Sequence, residues 1–67
     1  MSVAKVSEIS ATSKVGFEDA IRQGIERANK TLRNVKSVWI KEQHVRVDNE
    51  KISEYQVNML ITFIIDD

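Results

Sequence analysis

Few side chains in this sequence could carry out chemistry, and most of them lie in its second half. The 67 residues include one histidine, one tryptophan and no cysteine. Nucleophilic catalysis requires a nucleophile, a base and an orienting group, and a metal site requires clustered Cys, His or carboxylate ligands. The sequence contains neither set and no glycine-rich phosphate loop. We therefore expect no catalytic residues and no metal ligands, and we interpret His44, between Glu42 and Arg46, as a strand-edge or oligomer-contact residue.

Trp39 and Gln56 are the residues best suited to binding a ligand. Trp39 lies on the strand parity opposite to the residues that should face the helix, so the core of one chain does not need it. Two interpretations follow. Trp39 packs in an interface between subunits, or it offers a flat surface on which a planar ligand stacks, with Gln56 as a hydrogen-bonding amide. In an assembly with two-fold axes, one tryptophan becomes a facing pair that can sandwich an aromatic ring.

Charge is balanced over the whole chain but not along it. Ten basic and ten acidic residues cancel, which excludes a generally basic nucleic-acid binder. Acidic residues predominate from Asp48 onward. Between Glu26 and Arg46 basic side chains predominate. In one interpretation they form a solvated helix face and a charged rim. In the other they bind phosphate groups or form complementary ends in an assembly. These basic residues are Arg27, Lys30, Arg33, Lys36, Lys41 and Arg46.

The elements that must position these residues follow from the spacing of apolar side chains. Short apolar alternations predict a first strand around residues 3–9 and a second at residues 35–47. Residues 55–65 alternate most regularly, so they predict a third strand whose odd-numbered side chains face a helix. Residues 48–51 are polar and predict a turn, so the second and third strands should pair as an antiparallel hairpin.

A single amphipathic helix is predicted between the first two strands. Apolar residues recur every three or four positions from Phe17 onward, which favours a helix from about Lys14 to Arg33. Thr12-Ser13 offers side-chain oxygens to the free N–H groups at its start. Gly24 lies within the apolar stripe, which indicates a close approach of the helix to the sheet. Asn34 is suited to a left-handed conformation that ends the helix.

The fold class is therefore α+β, a single domain over residues 1–67 with one helix on a three-stranded antiparallel sheet. A chain this short buries only about 60% of its unfolded surface, and without cysteines oligomerisation is the expected reinforcement. The sheet face that the helix leaves uncovered should supply the contact. It carries apolar and polar side chains together: Trp39, Leu60, Ile64, Gln56, Asn58 and Lys41. No apolar run resembles a signal peptide or a membrane span, so we expect a cytoplasmic protein with no membrane partner.

In their order and spacing, several segments resemble the dodecin family along essentially the whole chain. They are the opening VAKVSEIS, Thr12-Ser13, Ile25-Glu26-Arg27-Ala28, Thr31-Leu32-Arg33 and Tyr55-Gln56-Val57. The resemblance implies a β-α-β-β protomer assembled as a hollow homododecamer of cubic symmetry. It also implies pairs of flavins, such as riboflavin, FMN or lumichrome, held between symmetry-related tryptophans for storage or protection rather than for catalysis. Some members of the family also bind coenzyme A.

The resemblance assigns roles to individual residues. Gln56 takes the position of the family's flavin-binding glutamine. When the chain is matched to the family without gaps, Ser37 takes the position of the stacking tryptophan, and Trp39 follows two residues later. With a longer helix-to-strand connection and a shorter hairpin, Trp39 itself takes the position of the stacking tryptophan. Lys41 or Arg46 would then meet the phosphate of FMN.

A second branch of the family lacks the stacking tryptophan and includes calcium dodecins. The pair Glu42-Gln43 and the pair Val47-Asp48 resemble that branch. The alternative function is therefore a dodecameric shell without flavin, which binds ions such as calcium or acidic metabolites such as coenzyme A.

Overall fold

The chain folds as a strand, a helix and two further strands in the computed structural model, which describes residues 3–65. The elements are β1 (Ala4–Ser13), α1 (Phe17–Thr31), β2 (Val35–Asp48) and β3 (Lys51–Ile64). The sheet is antiparallel with the order β1-β3-β2, so β3 is the central strand. The predicted α+β class and the β-α-β-β order are confirmed.

The core lies between α1 and the odd-numbered residues of β3. Val57, Met59 and Ile61 are each 0% exposed, as the alternation of this strand predicts. Ala20 and Ala28 are the buried alanines on the helix, and their small side chains bring α1 close to the sheet. Phe17 and Tyr55 make an edge-to-face contact with ring centroids 5.1 Å apart, which fixes the start of the helix on β3.

Gly24 marks the closest approach of helix and sheet. A Cβ atom at this position would overlap Met59 Cε and would lie 3.4 Å from Ala11 Cβ and 3.5 Å from Ile9 Cδ1. Gly24 therefore has a packing role that outweighs its low helix propensity. The sequence-based expectation of a close approach is confirmed.

The helix is shorter than predicted at both ends: it starts later because β1 continues to Ser13, and it ends at Thr31 because Leu32 is already extended. Ser13 Oγ accepts hydrogen bonds from the backbone N–H groups of Val15 at 2.9 Å and Gly16 at 3.4 Å. Ser13 therefore closes the turn before α1, and the residue that caps the helix is Gly16, which has no side chain to donate or accept. Thr12 lies in β1 opposite Gln56, so its predicted capping role is wrong.

After α1, the chain turns into β2 through one residue with positive φ. Leu32 already has an extended backbone, and Asn34 has φ 58°, the left-handed conformation predicted for it. The hairpin turn is also confirmed, since Asn49 and Glu50 have φ of 51° and 65° between the paired residues Asp48 and Lys51. Two consecutive left-handed residues match the right-handed twist of the two strands that they join.

Three register shifts in β2 change which of its side chains share a face. They lie between Val35 and Ser37, between Ile40 and Glu42, and between Arg46 and Val47. Simple alternation places Gln43 on the same face as Trp39, and this is wrong. After the second shift Gln43 pairs with Val57, on the face towards α1. Such irregularities re-aim side chains along a strand.

Gly24→Ala tests the close approach of the helix. The added methyl group gains about 1 kcal/mol of helix propensity, but overpacking a filled core costs about 1–3 kcal/mol. We expect a net loss of up to about 2 kcal/mol, seen as a lower thermal unfolding midpoint at fixed protein concentration. The control is Gly16→Ala, because nothing lies within 4 Å of a Cβ atom there. An unchanged midpoint for Gly24→Leu, a larger intrusion, would contradict this account.

Asp19 makes stability depend on pH. The hydrogen bond from the Ser13 hydroxyl, with further help from the Gln23 amide and the charge of Arg22, holds the pKa of Asp19 below its usual 3.8. Since the folded-state pKa is the lower one, the stabilisation is complete above the unfolded-state value and is lost as pH falls through the folded-state value. Asp19→Asn should therefore lower the urea midpoint at neutral pH.

The difference between Asp19→Asn and the unsubstituted protein should shrink as pH falls below 3.8 and through the lower folded-state pKa of Asp19. Glu18→Gln is the matched control, since Glu18 also lies in the first turn and makes only an exposed ion pair with Arg22. A pH-independent difference for Asp19→Asn would show that the carboxylate charge is not involved.

Candidate functional site

The face of the sheet turned away from α1, here called the outer face, is not covered by any described residue. It is formed by the even-numbered residues of β1 and β3 and by the β2 residues paired with them. Successive rows across the three strands are Val6–Thr62–Ser37, Glu8–Leu60–Trp39, Ser10–Asn58–Glu42 and Thr12–Gln56–His44. Four of the five residues predicted to bind a ligand belong to this face: Gln56 on β3 and Ser37, Trp39 and Arg46 on β2. The fifth, Lys41, lies in the register shift between Ile40 and Glu42, and its Nζ reaches Glu8 on this face.

One end of the outer face is apolar. Trp39 is 69% exposed and lies opposite Leu60, with Val6 nearby on β1. Together with Ser37 and Thr62, these side chains line a shallow depression of about 340 Å³. An exposed tryptophan beside other apolar side chains offers a flat surface that is stabilised when another molecule covers it.

The other end of the outer face is polar and hydrogen-bonded. His44 Nε2 lies 2.8 Å from Gln56 Oε1, and Gln56 Nε2 donates to Ser10 Oγ at 2.7 Å. In the next row Asn58 Nδ2 donates to Glu42 Oε1 at 3.0 Å. These bonds hold the Gln56 amide between strands β1 and β2, although the side chains remain accessible to solvent.

The two basic candidates differ in their partners. Lys41 Nζ lies 3.2 Å from Glu8 Oε2, in an exposed ion pair that spans the sheet. Arg46 is not among the ion pairs found within residues 3–65. With His44, Glu54 and Gln56 it lines a second depression of about 140 Å³. Arg46 is thus the basic side chain next to Gln56, and the carboxylate residue Glu54 lies opposite it on β3.

The basic stretch of the sequence does not form one patch. Arg27 and Lys30 lie on α1, on the opposite side of the sheet from Lys41 and Arg46. Within the acidic stretch, Asp66 and Asp67 lie outside the described residues. The basic residues therefore lie on both sides of the sheet, with the side chains of Lys41 and Arg46 on the outer face.

Trp39 and Gln56 do not form one pocket within a chain. Their rows are centred on Leu60 and Gln56 of β3, four residues apart, which corresponds to about 14 Å along the strand. Ser37 lies another row beyond Trp39, opposite Thr62. A single ring stacked on Trp39 therefore meets a Gln56 amide only where copies of the chain meet.

Sequence reasoning found the residues of this face but missed its internal bonds. The link from His44 to Gln56 depends on the register shift between Ile40 and Glu42, which puts His44 opposite Gln56. Neither that shift nor the Lys41–Glu8 pair leaves a pattern in the sequence. What the sequence does show is that Gln56 and Ser10 are even-numbered residues of their strands. This pattern predicts the sheet face on which they lie but not the residues that they contact.

Two further properties of residues 3–65 bear on the site. No cluster of three or more His, Asp or Glu side chains within this range is arranged to hold a metal ion in a single chain. The helix in the same range is neither long nor apolar enough to cross a membrane.

Comparison with known proteins gives consistent results. The family model described as Dodecin matches residues 3–66. A dodecin of Thermus thermophilus is 34% identical over 65 residues, which are 97% of this chain and 94% of that protein. The solved dodecin from Streptomyces davaonensis has a TM-score of 0.92 and 33% identity, covering 98% of this chain and 97% of its own.

A second solved structure has a different ligand in its description. It is the calcium-chelating immunodominant antigen calcium dodecin from Mycobacterium tuberculosis, with a TM-score of 0.82 and 28% identity. The match covers 96% of this chain and 91% of that one.

Proposed function

This chain belongs to the dodecin family, and we propose that it binds a flavin, FMN or riboflavin, between the subunits of a cytoplasmic homododecamer. The protein sequesters the flavin and does not convert it. The observation that carries this proposal is the exposed Trp39 beside Leu60 on a sheet face that α1 leaves uncovered. Large apolar side chains in this position favour contact with a second copy or a planar ligand.

Assembly is the first part of the proposal. Both β1 and β2 are edge strands, and exposed edges favour pairing or packing with other chains. Apolar side chains are also exposed far from Trp39, including Val47 and Ile52, which face each other near the hairpin turn. A small chain with this much uncovered apolar surface is stabilised by association.

Each candidate residue has a role in the proposed site. Trp39 stacks on the flavin ring, and its symmetry-related copy covers the other side of the bound pair. Gln56 contacts the polar edge of a ring, since its amide retains one free N–H and one free lone pair beside its bonds to Ser10 and His44. Ser37 lines the depression beside Trp39.

Arg46 rather than Lys41 is the better partner for the FMN phosphate. Glu8 already neutralises Lys41, whereas Arg46 borders the depression next to Gln56. Guanidinium groups also bind phosphate oxygens through two parallel hydrogen bonds.

The second candidate function is a shell that binds calcium or acidic metabolites such as coenzyme A without flavin. It is supported by the likeness to the calcium dodecin from Mycobacterium tuberculosis. Residues 3–65 of one chain contain no three-carboxylate cluster, so such a calcium site would need carboxylates from several copies. The outer face carries three carboxylates that several copies could contribute, Glu8, Glu42 and Glu54.

Flavin fluorescence tests the first candidate. Micromolar protein should quench riboflavin and FMN, and Trp39→Ala should weaken their affinity at least about tenfold, because the variant loses both stacking and apolar burial. Trp39→Phe should retain part of the affinity, and Val15→Ala, an exposed position on the turn before α1, should retain all of it. Light scattering on the same samples should show particles of twelve 7.7 kDa chains.

Unchanged flavin fluorescence together with calcium binding by calorimetry would favour the second candidate. A monomer that resists association at micromolar concentration would refute both.

Arg46→Ala and Lys41→Ala separate the two basic candidates. We expect Arg46→Ala to weaken FMN binding at least about tenfold, as loss of a charged hydrogen bond predicts, and riboflavin binding less than about twofold. Lys41→Ala should alter neither affinity by more than about twofold. Equal effects of Arg46→Ala on the two flavins would place the phosphate elsewhere.

A further inference from the structure

At the polar end of the outer face, the hydrogen bond between His44 and Gln56 is not required for Gln56 to contact a ligand. His44, Gln56 and Ser10 lie on three different strands, and the Gln56 amide joins them at 2.8 Å and 2.7 Å. His44 and Gln56 are directly paired across β2 and β3, so their backbone positions are set by the ladder. Gln56 is the only member of the three with both an oxygen and a nitrogen to place.

The orientation of the Gln56 amide depends on the proton at His44 Nε2. With Gln56 Nε2 donating to Ser10 Oγ, Gln56 Oε1 accepts a hydrogen bond from His44 Nε2, which requires the tautomer of His44 that carries its hydrogen on Nε2. The Ser10 hydroxyl can donate as well as accept, so it fits either orientation of the amide. His44 therefore decides whether the remaining N–H and lone pair of Gln56 face β1 or β2.

We propose that His44 is a positioning residue that sets the orientation of the Gln56 amide and so selects ligands by the order of donors and acceptors along their polar edge. This inference rests on the proposed function, because Gln56 is taken to contact the ring. The favoured ligand class is a planar heteroaromatic ring with adjacent N–H and C=O groups, which matches the free acceptor and donor of the held amide. A ring methylated at that N–H loses the match.

The first test uses protein without ligand and reads out the orientation itself. The two side-chain N–H resonances of Gln56 should be separate and slowly exchanging in the unsubstituted protein. In His44→Phe, which keeps a flat ring but has no donor, they should move to the positions of a free amide. His44→Gln places an amide nitrogen near the former Nε2 and should restore them. Unchanged Gln56 resonances in His44→Phe would overturn the proposal.

The second test measures selectivity with riboflavin and its analogue methylated at the ring N–H. The unsubstituted protein should prefer riboflavin, and His44→Phe should lose about three- to tenfold of that preference, the effect of one hydrogen bond. His44→Gln should recover it. Thr12→Val is the control, because Thr12 flanks Gln56 in the same row on the other side.

These outcomes separate the inference from the function on which it rests. If riboflavin binds and His44→Phe retains the full preference, the positioning role is wrong while flavin binding stands. If the unsubstituted protein does not bind riboflavin, flavin binding is wrong, and altered Gln56 resonances in His44→Phe then support the orientation of the amide alone.

Discussion

The structure depends on one imbalance: a single helix covers one face of a three-stranded sheet. The odd-numbered residues at the centre of β3 lie beneath α1, and Val57, Met59 and Ile61 are fully buried as a result. The even-numbered residues on the outer face of the same strand, from Glu54 to Ile64, are only partly buried within the chain. Any further stabilisation must come from outside, so the surface that completes the fold is also the surface that can bind a partner or a ligand.

The two ends of the outer face differ in polarity and therefore in the contacts that they can make. The apolar end, around Trp39, offers apolar surface, which stabilises a complex when another molecule covers it. The polar end, around Gln56, offers directional hydrogen bonds, because side chains on neighbouring strands hold the Gln56 amide in one orientation. One chain separates these two ends by several residues of β3, and a closed assembly can bring unlike ends of different chains together. In the proposed assembly, such a site forms only where different chains meet.

The close packing at Gly24 and the turn at Ser13 attach α1 to the face of the sheet opposite the outer face. Gly24 lets α1 lie flat on Met59, and the bonds of Ser13 and Asp19 hold the start of the helix to the end of β1. These contacts attach α1 to the central strand and to the end of β1. A rigid sheet is what allows side chains on its far face to keep their spacing.

The sequence by itself determined the element order, the buried face of β3, the hairpin turn and the membership of Trp39 and Gln56 in the outer face. These features are local, because periodicity and turn residues act over a few positions. It did not determine that Ser13 ends a strand instead of capping a helix, or that Gln43 faces α1.

Only the tertiary structure decided the partners of His44, Lys41 and Gln56. Those pairs depend on strand order and on register shifts in β2, and both arise from packing between residues distant in the chain. A shift of one residue exchanges the two faces of a strand, and alternation in the sequence cannot show where such a shift falls.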